Sequence, residues 1–126
     1  MTHPMQDLID EARSVLGVRP LSGGEAGSVA AALETADGHV YRGVCIDVGS
    51  SMGFCAEHAA IAAMVTSGET RIRRCVAVHT ECGVVAPCGR CREFMAQLCE
   101  ENLDADIGLH EGTAKLRELL PHCWTE

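Results

Sequence analysis

The sequence predicts an α/β protein, a three-layer α/β/α sandwich built on a mixed sheet, and three observations carry that expectation. Asp37-Gly38 between two apolar segments is a strong short-range hairpin signal. Beyond that hairpin, helical and strand patterns alternate, an order that puts helices on both faces of a sheet and favours parallel pairing in its second half. The 126 residues, 47% hydrophobic and 22% charged, suit one ordinary globular domain spanning 1–126.

The elements follow in order. Met5, Leu8, Ile9, Ala12, Val15 and Leu16 recur at helical spacing, with Pro4 suited to the first turn and Gly17 to the stop. Residues 18–27, with Pro20, Gly23, Gly24 and Gly27, read as an irregular loop. Segments 29–35 and 40–46 form the hairpin strands on either side of Asp37-Gly38. A Gly/Ser-rich loop, 48–53, leads into a helix over 55–67 that is apolar almost all round and stops at Gly68, so it reads as buried. Ile72, Cys75, Val76, Ala77 and Val78 make a third strand, and Pro87 opens a helix from Cys88 to about Glu101. Residues 105–109 form a short fourth strand, and Thr113 caps a last helix that runs through Leu120 to Pro121.

Charge and composition exclude several functions. The net charge is -8, from 10 Lys+Arg against 18 Asp+Glu, and aromatics make up only 3%. Nucleic-acid surfaces depend on cations that neutralise phosphates and on stacking rings, so no nucleic-acid partner is expected. A small neutral or cationic ligand suits the charge better. No apolar run is long enough to cross a bilayer, so no membrane partner is expected. Residues 1–7 carry neither a basic nor an apolar leader pattern, and the expected location is cytoplasmic. In a reducing compartment the 8 cysteines are candidates for metal binding or chemistry rather than disulfides.

Cys88 and Cys91, three apart at a helix start, share one face near the positive end of the dipole, where thiolate is favoured. A C-x-x-C pair reads as metal ligand, redox pair or coincidence, and its late position after the third strand disfavours the redox reading. Cys55 also begins a helix. If both helices start at the same sheet edge, Cys55, Cys88 and Cys91 surround one Zn2+ and leave a fourth position open. An open position marks catalytic zinc, which lowers the pKa of a water to about 7. Glu57 is the proton shuttle, provided that Cys55 sits at the helix cap rather than inside it. The bland alternative is a closed structural site completed by His79, Cys82 or His58. Cys45, Cys75, Cys82, Cys99 and Cys123 read as core or surface thiols, and Arg71, Arg73 and Arg74 as a solvated cluster.

Cys55-Ala56-Glu57 followed downstream by Pro87-Cys88-Gly89-Arg90-Cys91 is the three-cysteine form of the zinc deaminase signature, whose chemistry is well described. With Ser28-Val29-Ala30-Ala31-Ala32-Leu33, Asp37-Gly38, Tyr41-Arg42-Gly43-Val44 and Arg117-Glu118-Leu119-Leu120-Pro121, the chain resembles the small cytidine deaminase family. Within it the chain is most similar to the blasticidin S deaminases. The resemblance implies a cytidine deaminase-like fold and a homotetramer. It implies zinc held by Cys55, Cys88 and Cys91, with Glu57 moving protons during hydrolytic deamination of a cytosine ring in a free nucleoside, as in pyrimidine salvage. It also implies that the backbone at Ala56 and Ala86 lies against the polar edge of the pyrimidine.

Departures from the family bear on substrate. Three thiolates on a dication leave about -1, which needs a nearby cation or donors. His58 stands where the family places an Arg, so Arg90 is the expected compensator, with Arg92 second. The family's ribose-gripping Asn-x-Glu is replaced by Cys45-Ile46-Asp47, where Asp47 can still accept from a hydroxyl and Cys45 cannot act as an amide. Trp124 reads equally as a pocket lid and as packing. The alternatives are a deaminase of a nucleoside antibiotic such as blasticidin S or of another amino-heterocycle, and a non-catalytic zinc-stabilised binding module.

Overall fold

A computed structural model describes residues 2–125. In chain order it contains α1 (Gln6–Arg13), β1 (Arg19–Leu21), β2 (Gly24–Thr35), β3 (Val40–Val48), α2 (Ala56–Thr66), β4 (Ile72–His79) and β5 (Gly83–Val85). There follow α3 (Gly89–Leu98), a 3-10 turn over Glu100–Asp104, β6 (Asp106–Gly108), β7 (Thr113–Lys115) and α4 (Leu116–Leu119). The seven strands form one mixed sheet whose main path runs β1-β2-β4-β6-β7, with β3 beside β2 and β5 beside β4. The expected mixed sheet is present, but parallel pairing is confined to β4 and β6, through Arg74↔Asp106 and Cys75↔Ile107.

Strand alternation explains the layers. On β2 and β4, Ala30, Ala32, Val76 and Val78 face a core shared with Met5, Leu8, Ile9 and Ala12 at α1. The intervening Ala31, Leu33, Cys75 and Ala77 face the opposite core, which receives Ile61 and Met64 of α2, Met95 of α3 and Leu116 of α4. Small residues bring α2 very close to the sheet. A Cβ at Gly43 would run into the Ala60 backbone nitrogen and the Ala59 methyl, so only glycine lets β3 pass beneath this helix. The near-uniform apolar character of α2 therefore reflects burial against the sheet for Ala56, Ala60, Ile61 and Met64, while Ala62 and Val65 stay exposed.

Several expectations need correction. Residues 18–27 are not an irregular loop: Arg19↔Ala26, Pro20↔Glu25 and Leu21↔Gly24 pair β1 with β2. All three β1 residues are exposed, so main-chain bonds alone make this strand and no alternation announces it. Helix α1 ends at Arg13, because the amides of Val15 and Leu16 bond three residues back to Ala12 and Arg13. Val15 and Leu16 still pack on the same core, which is why their spacing read as helix. The helix expected through Glu101 breaks at Cys99, whose backbone is extended (φ -166, ψ 125). Buried Asn102 secures the break: its Oδ1 accepts the Ile72 N–H at 2.7 Å and its amide donates to Thr70 and Met95 carbonyls. Thr113 lies in β7 instead of capping the last helix, and Lys115 takes the cap, its amide bonded to Glu118 at 2.9 Å. The short strand β5, which pairs with β4 through Ala77↔Val85 and His79↔Gly83, has no counterpart in the sequence reading.

Candidate active site

Both helices that carry the cysteine motifs begin at one end of the sheet. Cys55 and Cys88 stand at the N-caps of α2 and α3 with extended backbone (φ -70, ψ 157 and φ -68, ψ 166). Cys55 thus lies outside helical geometry, as the pairing with Glu57 requires. Cys91 is one turn into α3 and fully buried. The sulfurs of Cys55 and Cys88 are 3.4 Å apart, those of Cys88 and Cys91 3.6 Å, and all three lie within 4.8 Å of one another. Three sulfurs bonded tetrahedrally to one zinc at about 2.3 Å stand about 3.8 Å apart, so this donor set fits zinc. Among the described residues no fourth His, Cys, Asp or Glu joins the group. The closed-site alternative thus lacks its ligand: His58 Nδ1 is 3.3 Å from the Cys91 sulfur, but neither it nor His79 nor Cys82 has a donor atom within 4.8 Å of all three sulfurs.

The thiols differ electrostatically. Burial pushes Cys91 and Cys55 up, each reinforced by its neighbours' charge. Cys88 also feels burial, but the Cys91 backbone N–H and its thiol partners bring it below the usual thiol value. Two converging helix N-termini favour thiolate here, and a bound dication would favour it further. Glu57, on the first turn of α2, is 5% exposed. Burial raises its carboxyl, partly offset by its own backbone N–H.

These groups open onto a cleft of about 520 Å³. Of the residues expected there, Cys45, Asp47, Cys55, Ala56, Glu57, Ala86, Cys88 and Arg90 line it. Cys45 is buried, and its sulfur takes the Val29 N–H at 3.3 Å while the thiol donates to Asp47 at 3.4 Å. The thiol that cannot act as an amide instead orients the neighbouring carboxylate.

His58 is the side chain in contact with the cluster, its Nδ1 3.3 Å from the Cys91 sulfur and its ring stacked on Phe94 at 4.4 Å. Burial and the Arg90 charge both push the His58 imidazole down. Arg90 lines the cleft and an adjoining hollow with His58 and Phe94. Arg92 does not face the thiols: it donates to the carbonyls of Pro87 (2.8 Å) and Leu119 (3.0 Å), fastening the residue before Cys88 to α4. Trp124 does not line the cleft; it is 82% exposed, its amide bonded to Glu93, because the segment after Pro121 runs along α3.

Sequence reading missed Ser28, Ser51, Phe54 and His79 as cleft residues. Phe54 had a usable signal, an aromatic in an aromatic-poor chain directly before Cys-Ala-Glu. Ser51, like Ser50, has positive φ, a conformation that gathers at functional loops. Ser28 and His79 reach the cleft only through strand pairing.

Three clustered thiols beside a buried carboxyl, at one end of an α/β/α sheet, are a donor set and a proton carrier suited to a hydrolytic enzyme. No protein-family model matches the chain. A cytidine deaminase of Halalkalibacterium halodurans is 34% identical over 101 residues, covering 77% of this chain and 76% of that protein. One from Sporosarcina psychrophila is 36% identical over 76 residues, covering 60% and 56%. The cytidine deaminase structure from Mycobacterium tuberculosis superposes with a TM-score of 0.81 at 26% identity, covering 96% of this chain and 97% of that one. The chain belongs to the cytidine deaminase family.

Proposed function

We propose that this protein hydrolyses the exocyclic C–N bond of cytosine in a free nucleoside of the cytidine and deoxycytidine class, releasing ammonia and the uracil product. The observation that carries the reading is the pairing of three clustered thiols with buried Glu57 in one cleft. Cys55, Cys88 and Cys91 would hold zinc, and zinc supplies Lewis-acid activation of water for attack at ring C4. Glu57 would take up the proton that the attacking water loses and deliver it to ring N3, then take the remaining proton from the new C4 hydroxyl as the carbonyl forms and deliver it to the departing amino group. Burial keeps bulk water away from its carboxyl, so the proton is carried between donor and acceptor. The backbone at Ala56 and Ala86 borders the ring's polar edge, and Asp47, oriented by Cys45, accepts from a ligand hydroxyl. His58 donates to the Cys91 sulfur, which spreads the excess negative charge of three thiolates.

Residues 1–126 would act as one deaminase domain in the cytoplasm, a compartment that keeps cysteines available for metal binding. Among the described residues no helix is long and apolar enough to cross a membrane. Likeness to the blasticidin S deaminases rests on Arg90 between Cys88 and Cys91, while the altered Cys45-Ile46-Asp47 segment bears on substrate choice without naming one. The zinc-replete protein is therefore expected to release ammonia from cytidine, deoxycytidine or blasticidin S in a panel assay. No turnover of any cytosine compound would overturn the deaminase reading. Activity on blasticidin S without cytidine would assign the Cys45-Ile46-Asp47 segment to antibiotic recognition.

Association into a homotetramer is supported by exposed Val65 on α2 and by Trp124. Sedimentation at working concentration should give a mass of about four chains, and a monomer would remove this part of the proposal.

A further inference from the structure

We infer that His79 is a ligand-contacting residue whose Nε2–H donates to an oxygen acceptor of the bound pyrimidine nucleoside. The inference rests on the cleft being the substrate site. Alternation along β4 puts His79 on the same sheet face as Cys75 and Ala77, the face covered by α2 and α3. It is the last residue of the strand, opposite Val29, and it is one of the residues that line the cleft. Ligands of open α/β sheets gather at such carboxyl ends.

The tautomer follows from the turn after β4. His79 Nδ1 accepts the backbone N–H of Glu81 at 3.0 Å and that of Cys82 at 3.3 Å. A nitrogen receiving two N–H donors carries no proton, so the ring proton sits on Nε2. Nε2 has no protein partner among the described residues, and the ring is half-buried, so the donor is directed by the backbone and left for a ligand. The neighbouring wall is rich in acceptors and ambivalent groups: Thr80 N–H bonds the Ser28 carbonyl, Ser28 Oγ lies 3.3 Å from Cys45 Sγ, and the Cys45 thiol donates to Asp47. His79 therefore adds an N–H donor to a wall otherwise able to accept from hydroxyls. A group that both accepts and donates, such as a sugar hydroxyl, or an acceptor such as the ring carbonyl, matches it.

Two substitutions separate this role from simple capping of the turn. His79→Asn puts an amide oxygen where Nδ1 stands and removes the cleft donor. His79→Gln reaches the Nε2 position with an N–H and gives up the cap. With H79N, KM for cytidine should rise about five- to tenfold with kcat nearly unchanged, the size of one neutral hydrogen bond, and the melting temperature should hold. H79Q should keep KM near that of the wild type and melt a few degrees lower.

Calorimetric Kd values for uridine and uracil should locate the acceptor. Loss confined to uridine assigns it to the sugar, and equal loss on both assigns it to the ring carbonyl. Unchanged uridine affinity and KM in H79N would overturn the assignment, as would equal losses in both variants. Failure of the wild type to deaminate any cytosine compound would sink the reaction reading separately, with the uridine titration still deciding the role of His79.

Discussion

Glu57→Gln is expected to lower kcat by at least about a thousandfold while zinc content and fold stay as in the wild type. The side chain is 5% exposed at the first turn of α2, with the thiol cluster beside it and the cleft in front. Glutamine fills the same volume and keeps one carbonyl oxygen, but it cannot accept and release protons in this reaction. Because burial raises the Glu57 carboxyl, the ionised form carries a desolvation cost that glutamine avoids. The variant should accordingly unfold at the same or a slightly higher temperature. Metal analysis, thermal unfolding and ammonia release on the same preparation test this together. A variant that retains zinc and turns over at more than a tenth of the wild-type rate would remove Glu57 from the chemistry. A wild-type protein with zinc but no ammonia release would favour the binding-module alternative.

Cys91→Ser should have the second largest effect, through the metal rather than the proton. Cys91 is fully buried and sits between Cys88 and His58, so its sulfur closes the inner side of the cluster. Serine leaves two thiolates and a hard hydroxyl that binds zinc weakly at neutral pH. Zinc should fall well below one per chain after brief exposure to a chelator, and turnover should fall with it. Thermal stability should drop too, because metal bound only to the folded state stabilises it by mass action. Cys99→Ser is the control: Cys99 stands at the far end of α3, in the break before the 3-10 turn, and should leave zinc and turnover unchanged. Full zinc retention by Cys91→Ser under the same chelator would contradict the three-thiolate site.

The parts of this molecule that were legible in the chain are those with local chemistry. Asp37-Gly38 makes its turn with Gly38 at φ +87, and β2 and β3 pair on either side as expected. Two helices begin at the two cysteine motifs because each motif sits at an N-cap, where extended backbone precedes the first turn. The short strands β1, β5 and β7 were not legible. Each has only three residues, and main-chain pairing with a neighbour makes them strands whatever their side chains. Residue type points to the guanidinium of Arg90, which lines the cleft. Packing alone brings His58 to the cluster as well, its ring stacked on Phe94 and its Nδ1 3.3 Å from the Cys91 sulfur.

By itself the sequence determined the layer order, the grouping of Cys55, Cys88 and Cys91, and the presence of Glu57 beside them. Those features depend on residue type and on spacing within a turn or helix. Tertiary structure alone decided that Cys45 orients Asp47, that Trp124 stays outside the cleft, and that Ser28 and His79 enter it. Each of those depends on register between strands and on which helix crosses which face. Such contacts join residues distant in the chain, and the burial and hydrogen bonding that select them exist only once the sheet is assembled.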